Sequence, residues 1–107
     1  MKFINRLKLR EMLKEAGEVL LLDVRSREKF REEHIPGARF MAADNIGNAF
    51  PSCIQRDKPI VTYCDDSNCM ESFEAAGTLD TMGYKNVYRF VSGLRGWKEL
   101  GLGTSGR

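Results

Sequence analysis

Apolar positions along the chain follow two different rhythms. Leu9, Met12, Leu13 and Ala16 recur at i, i+3, i+4 and i+7, the stripe of an amphipathic helix, and Gly17 is placed to stop it. By contrast, "EVLLLDVR" from Glu18, "PIVTY" from Pro59 and "NVYRFV" from Asn86 are unbroken apolar runs of strand length. Such runs suit strands covered on both faces, as in parallel sheets. Between them, Ser26 can cap a short helix over "REKFREE", because its hydroxyl accepts a free backbone N–H of the first turn. Pro36 in "HIPGA" then breaks that helix. "RFMAADNIGNAF" predicts a short strand followed by a short helix. Residues 70–82 predict a longer helix with Phe73, Ala76 and Leu79 on one side, Ala75 and Met82 adjoining, and Gly83 as its stop. "LRGWKEL" predicts a last short helix, and residues 101–107 a frayed tail.

Strand and helix therefore alternate, which predicts an α/β architecture with a mostly parallel sheet. The 107 residues are the length of one domain. Ligands of such sheets bind beyond the carboxyl ends of the strands. Three such ends matter: after Val24, at Cys64 and near Ser92.

Composition narrows the setting. Hydrophobic residues make up 42% and charged residues 30%, as in an ordinary globular protein. No apolar stretch reaches the ~18 residues of a membrane span. Charges interrupt the apolar residues of "MKFINRLKLREML", so it does not read as a secretory signal, and a cytoplasmic location with reduced thiols is expected. Three cysteines, an odd number, argue against a disulfide framework. A net charge of +2 makes no case for nucleic acid. The distribution is less even: Thr62 to Tyr84 holds Asp65, Asp66, Glu71, Glu74 and Asp80 with no Lys or Arg. A solvated helix face is the ordinary meaning of such a run.

The acidic segment contains the most reactive arrangement in the chain, "YCDDSNCM". Cys64 ends a strand and a tight polar loop leads into a helix. Backbone N–H groups in such a loop can converge into an anion-binding nest, and the helix start adds partial positive charge. Together they can lower a thiol pKa from ~8.5 toward neutrality and create a nucleophile that needs no separate base. The alternative is a buried, inert cysteine.

"LLLDVRSREKFREEHIPGARF", "PIVTYC" with its loop and helix, and "GYKNVYRFVSGLRGW" together resemble the rhodanese-like domain, from about Glu18 to Trp97 and in the family's order. The resemblance implies a central, mostly parallel sheet of about five strands flanked by helices. It also implies that Cys64 is the sulfur-carrying residue of a single-domain sulfurtransferase. The backbone amides of Asp65, Asp66, Ser67, Asn68 and Cys69 would form the cradle for the bound sulfur. The donor would be a small sulfane-sulfur compound such as thiosulfate or a persulfide, and the acceptor a thiophile such as a protein thiol. Nothing in the pattern calls for a cofactor, a metal, a membrane or nucleic acid.

Departures from the family pattern sharpen this expectation. Many active members carry an arginine five residues after the cysteine; here that residue is Cys69, which resembles a subset with a Cys-x4-Cys loop. Asp65 and Asp66 would oppose a thiolate and repel a thiosulfate dianion: a unit charge at ~5 Å contributes about 3 kcal/mol at an effective dielectric near 20. Phosphatases of the same fold close a longer loop with an arginine six positions on; Met70 stands there, so phosphate chemistry is set aside. Two other readings stay open. One is a catalytically weak or inactive module that binds a protein partner; the other is a Cys64–Cys69 redox switch, against which Cys69 can simply pack beside the helix as a small apolar residue.

The remaining candidates read as structural. Asp23 and Arg25 read as a charge pair anchoring loops, with Arg25 as a possible accessory that counters the loop acids. His34 reads as part of a turn and Trp97 as a core anchor. Ser92 replaces the first glycine of the family's usual pair, with Gly93 retained, which would tighten the pocket rim. Cys53 has no visible partner, and zinc binding by Cys53, Cys64, Cys69 and His34 lacks a second ligand pair.

Overall fold

Short apolar runs with no polar face can be shielded only by layers on both sides, and the computed structural model places all three in the interior of one sheet. It describes residues 1–15 and 19–106. In chain order the elements are β1 (Lys2–Ile4), α1 (Arg6–Glu15), β2 (Leu20–Asp23), α2 (Arg27–Glu32), β3 (Arg39–Phe40), a 3₁₀ turn (Ala43–Asn45), α3 (Ile46–Ala49), β4 (Ile60–Tyr63), α4 (Glu71–Thr81), β5 (Val87–Phe90) and α5 (Gly93–Glu99). The strands order β1-β5-β4-β2-β3, and every pairing is parallel. No helix among the described residues is long and apolar enough to cross a membrane.

Alternation along the strands divides the core into two layers. Leu21, Val61, Tyr63 and Phe90 face one layer with Leu9, Leu94 and Trp97. Leu22, Val24, Ile60, Cys64 and Val87 face the other, against Ala75, Ala76 and Leu79 of α4. Side chains two apart on a strand share a face, so Cys64 follows Ile60 and Thr62 onto the α4 side of the sheet. Arg89 follows Val87 onto the same side and is in register with Thr62.

Several local expectations are met and others corrected. Ser26 caps α2, its Oγ accepting from the Lys29 N–H at 3.2 Å. Gly83, at φ +96°, ends α4, a conformation natural to glycine. The expected stop at Gly17, the Ala16 position of the first helical stripe and the Glu18 start of the next run lie outside the described residues. Phe73 does not face the core: it is 37% exposed, and the buried stripe of α4 is Ser72, Ala75, Ala76 and Leu79. That set follows the i, i+3, i+4, i+7 spacing, whereas steps of three drift around the helix. The segment expected to fray is instead tied down at Gly103 and Ser105, and Arg107 lies outside the described residues. Ser105 and His34 exchange two backbone hydrogen bonds of 2.9 Å, and Gly103 O accepts from Trp97 Nε1 at 2.9 Å. β1 went unread in the sequence, being three residues long at the sheet edge with only Ile4 buried.

The turn from β5 into α5 brings backbone hard against backbone. Gly93 has φ +62°, and a Cβ there would stand 2.3 Å from the Cys64 carbonyl oxygen. Gly93→Ala is therefore expected to destabilise the protein by about 2 kcal/mol or more, from left-handed backbone strain plus overpacking against main chain. An unfolding midpoint in urea equal to that of the unchanged protein would refute this close approach.

Candidate active site

Cys64 leaves the carboxyl end of β4 and is 1% exposed. Its Sγ lies 3.4 Å from the Cys69 carbonyl oxygen and 3.3 Å from Ser72 Oγ, so the loop has closed over the sulfur and brought the start of α4 against it. The same two oxygens are held from below. Arg89 Nε donates to Ser72 Oγ at 3.0 Å, and Arg89 Nη2 donates to the Cys69 carbonyl at 2.9 Å. Thr62 Oγ1 donates to the Ser72 carbonyl at 2.7 Å. Arg89 is 6% exposed, and among the described residues no carboxylate lies within ion-pair distance of it. Its guanidinium also faces the rings of Phe3 and Phe73, at 5.8 and 5.9 Å.

The loop itself is shaped by Asp66, whose Oδ1 accepts from Asn68 N–H at 3.0 Å while its carbonyl accepts from Cys69 N–H at 3.3 Å. This is the local turn chemistry that aspartate favours. It also means that two of the five amides expected to form a cradle, those of Asn68 and Cys69, are engaged within the loop. The amides of Asp65, Asp66 and Ser67 have no protein acceptor among the described residues. The base of the loop is docked on α5: the Cys64 carbonyl accepts from Leu94 N–H at 2.9 Å and the Asp65 carbonyl from Arg95 N–H at 3.0 Å.

Asp65 is turned away from the sulfur. Its carboxylate meets Arg25 Nη1 at 3.2 Å and Lys29 Nζ at 2.7 Å. Partial burial works against the charge, but the hydrogen bonds from Lys29 and Arg25 outweigh it and hold the Asp65 carboxyl below the usual range. Arg25 is anchored in turn by Asp23, whose Oδ2 lies 2.7 Å from Arg25 Nη2 and accepts from the Tyr63 hydroxyl at 2.8 Å. Burial, then the Asp23 charge, push the Tyr63 phenol upward, so it stays a neutral donor. Cys69 behaves differently from a reactive thiol. Burial first, then the neighbouring Cys64, push it up to about 12, and its Sγ donates to Glu71 Oε1 at 3.3 Å.

The structure thus gathers Cys64, Cys69, Asp65 and Arg25 around one loop and leaves the other cysteine outside it. Cys53 is exposed in the segment leading into β4, at the opposite end of that strand. His34 stacks on Phe30 with ring centroids 3.9 Å apart, and Trp97 lies in the core. Ser92 leans on α5 at Gly96, where a Cβ would come within 2.0 Å of its hydroxyl. Beside the loop, a cleft of about 590 Å³ opens between Arg25, Ser26, Phe40, Ala43, Glu71 and Thr78. Arg89 and Ser72 were missed from the sequence. The available signal was a charged residue inside the apolar run "NVYRFV" and a polar one on the core stripe of α4.

Residues 6–100 match the family model of the rhodanese-like domain, and the chain belongs to that family. Over 97 residues it is 28% identical to the thiosulfate sulfurtransferase GlpE of Coxiella burnetii, covering 91% of this chain and 87% of that protein. Over 89 residues it is 33% identical to the HTH-type transcriptional regulator Rv0324 of Mycobacterium tuberculosis, covering 83% of this chain but 38% of the regulator. The crystal structure of BH2092 from Bacillus halodurans superposes with a TM-score of 0.89 at 24% identity, over 98% of this chain and 77% of that one, and shows the shared fold.

The two arms of the Asp65–Arg25–Asp23 network differ in burial, and so should their energetics. Asp23 is fully buried, so Arg25→Met, which strands its carboxylate, is expected to cost about 3 to 5 kcal/mol. Asp65 is 39% exposed, and Asp65→Asn is expected to cost under about 1 kcal/mol. Equal losses for the two variants in denaturant titrations would contradict this ordering.

Proposed function

We propose that this protein is a sulfurtransferase or sulfur carrier in which Cys64 accepts a sulfane sulfur as a persulfide and passes it to a thiol. The observation that carries the reading is the placement of Cys64 at the carboxyl end of the central strand β4, beneath a loop with free amides and above a buried cation. Family membership and the name of the Coxiella relative support the same activity. The Cys64 thiolate attacks the outer, sulfane sulfur of the donor; the sulfur–sulfur bond of the donor breaks and its remaining fragment leaves with the electron pair. With thiosulfate that fragment is sulfite. The persulfide left on Cys64 carries one negative charge on its outer sulfur. An acceptor thiolate then attacks that outer sulfur, and the Cys64 thiolate leaves.

In this scheme the amides of Asp65, Asp66 and Ser67 stabilise the outer sulfur, an oxyanion-hole type of effect. Asn68 and Cys69 contribute loop shape. The pairing of Asp65 with Arg25 and Lys29 removes much of the repulsion that the bare sequence suggests, while Asp66 has no ion-pair partner among the described residues. A persulfide or protein-bound donor of low charge suits this mouth better than the thiosulfate dianion. Burial and the neighbouring Cys64 push the Cys69 thiol up, away from the thiolate form that would attack a Cys64 persulfide. A second reading, a regulatory module that binds a protein partner, draws on the mycobacterial relative, within which a similar domain is one part of a transcriptional regulator.

Whole-protein mass spectrometry separates the two. Incubation with polysulfide, a small persulfide or thiosulfate is expected to add ~32 Da, one sulfur atom, with a larger yield from the small persulfide than from the dianionic thiosulfate and none in Cys64→Ser. Absence of the adduct with all three donors would leave the regulatory module as the better reading.

A further inference from the structure

A guanidinium buried at 6% exposure ordinarily sits against a carboxylate, because an unpaired charge is costly to remove from water. Arg25 obeys this rule through Asp23; Arg89 does not. Its polar partners are a hydroxyl and a carbonyl, both neutral, and two aromatic faces complete its surroundings. Both polar partners are also the two oxygens hydrogen-bonded to Cys64 Sγ. Among the described residues, the Cys64 sulfur is the ionisable atom hydrogen-bonded to both of these oxygens.

We propose that Arg89 is a positioning residue for the reacting sulfur, acting through Ser72 and the Cys69 carbonyl, and that the anion it is built to face is the thiolate or persulfide of Cys64. This rests on the reading of Cys64 as the sulfur carrier and goes beyond it, by locating the stabilising charge on β5 rather than in the loop. The hydrogen-bond directions support the assignment. Arg89 Nε–H occupies one lone pair of Ser72 Oγ, which leaves the hydroxyl proton free to point at Sγ once the thiol has ionised. Arg89 Nη2 draws electron density from the Cys69 carbonyl, which weakens its hold on the Cys64 S–H proton. The first favours the charged form of the sulfur, and the second offsets part of the preference for the neutral thiol that the carbonyl creates.

The other charges around Cys64 have been assigned elsewhere. Asp65 in the loop is paired with Arg25 and Lys29, from the segment between β2 and α2 and from α2. Asp66 accepts the Asn68 amide within the loop, and Glu71 at the start of α4 accepts from Cys69. Arg89 is thus the positive group aimed at the sulfur from beneath, and its removal should be legible in the thiol titration.

The test uses a Cys53→Ser, Cys69→Ser background, in which Cys64 is the only thiol; the Arg89 contact with residue 69 is through the backbone and survives. Thiolate formation is followed by ultraviolet absorbance against pH, with the corresponding Cys64→Ser protein subtracted. Arg89→Met is expected to raise the midpoint by about one unit, leaving about tenfold less thiolate at pH values below it. Arg89→Lys, which restores the charge without the fork, is expected to recover most of the shift. Should Arg89→Met fail to fold, Ser72→Ala cuts the link to Sγ with little change in volume and is expected to raise the midpoint in the same direction. A midpoint unmoved in Arg89→Met, or in Ser72→Ala where that variant stands in, would overturn the proposal, as would a shift that Arg89→Lys does not reverse. Failure of sulfur uptake by the unchanged protein would instead overturn the carrier reading and leave this titration result standing.

Discussion

The constraint on which the site depends is the pair of hydrogen bonds that lay the Cys64 and Asp65 carbonyls on the first amides of α5. They fix the direction in which the chain leaves β4, and with it the face toward which the sulfur turns. They also require backbone to approach backbone so closely that residue 93 has no room for a side chain. Once the loop is pinned there, its far end can return only over the sulfur. The Cys69 carbonyl and the Ser72 hydroxyl are then the hydrogen-bond partners of Sγ.

Two buried arginines flank this loop and do different work. Arg25 is balanced by Asp23 and locks β2 to the Asp65 side of the loop, while also reaching the Glu33 carbonyl at 2.6 Å. It turns an acidic mouth into a partly neutral one. Arg89 is not balanced by any carboxylate among the described residues and lies on the sulfur side. Cys69 stands where many active members of the family carry an arginine, and here a cation reaches the neighbourhood from β5. The acidic island read along the sequence is therefore only partly offset in the folded site: Asp65 is paired, while Asp66, Glu71 and Glu74 have no ion-pair partner among the described residues.

The strands that carry the site were legible because burial on both faces leaves an unambiguous apolar run, as in "PIVTY" before Cys64. Capping at Ser26 and the stop at Gly83 were legible because each rests on a local backbone need. β1 was not, since three residues with one buried side chain carry no period, and its pairing with β5 is a long-range fact. The anchored C-terminal segment was missed for a related reason: glycines and polar residues give no local signal that a distant His34 will supply backbone partners. The reading of Phe73 as core failed because apolar character was followed where helical spacing pointed to Ser72. The same preference hid Arg89, whose polar side chain marks an inward strand position. At the site, residue identity in the loop showed where chemistry could occur, but the partners of Asp65 and of the sulfur come from β2, α2 and β5 and could not be read from the loop alone.

The most direct test is nitrogen-15 NMR of the labelled protein before and after Cys64 is loaded with one sulfane sulfur. If the sulfur carries its charge between the loop amides and the β5 cation, the largest shift changes will fall on the amides of Asp65, Asp66 and Ser67 and on Arg89 Nε–H. A loaded protein in which the Arg89 signal stays in place, or in which the changes centre on residues away from this loop, would contradict it.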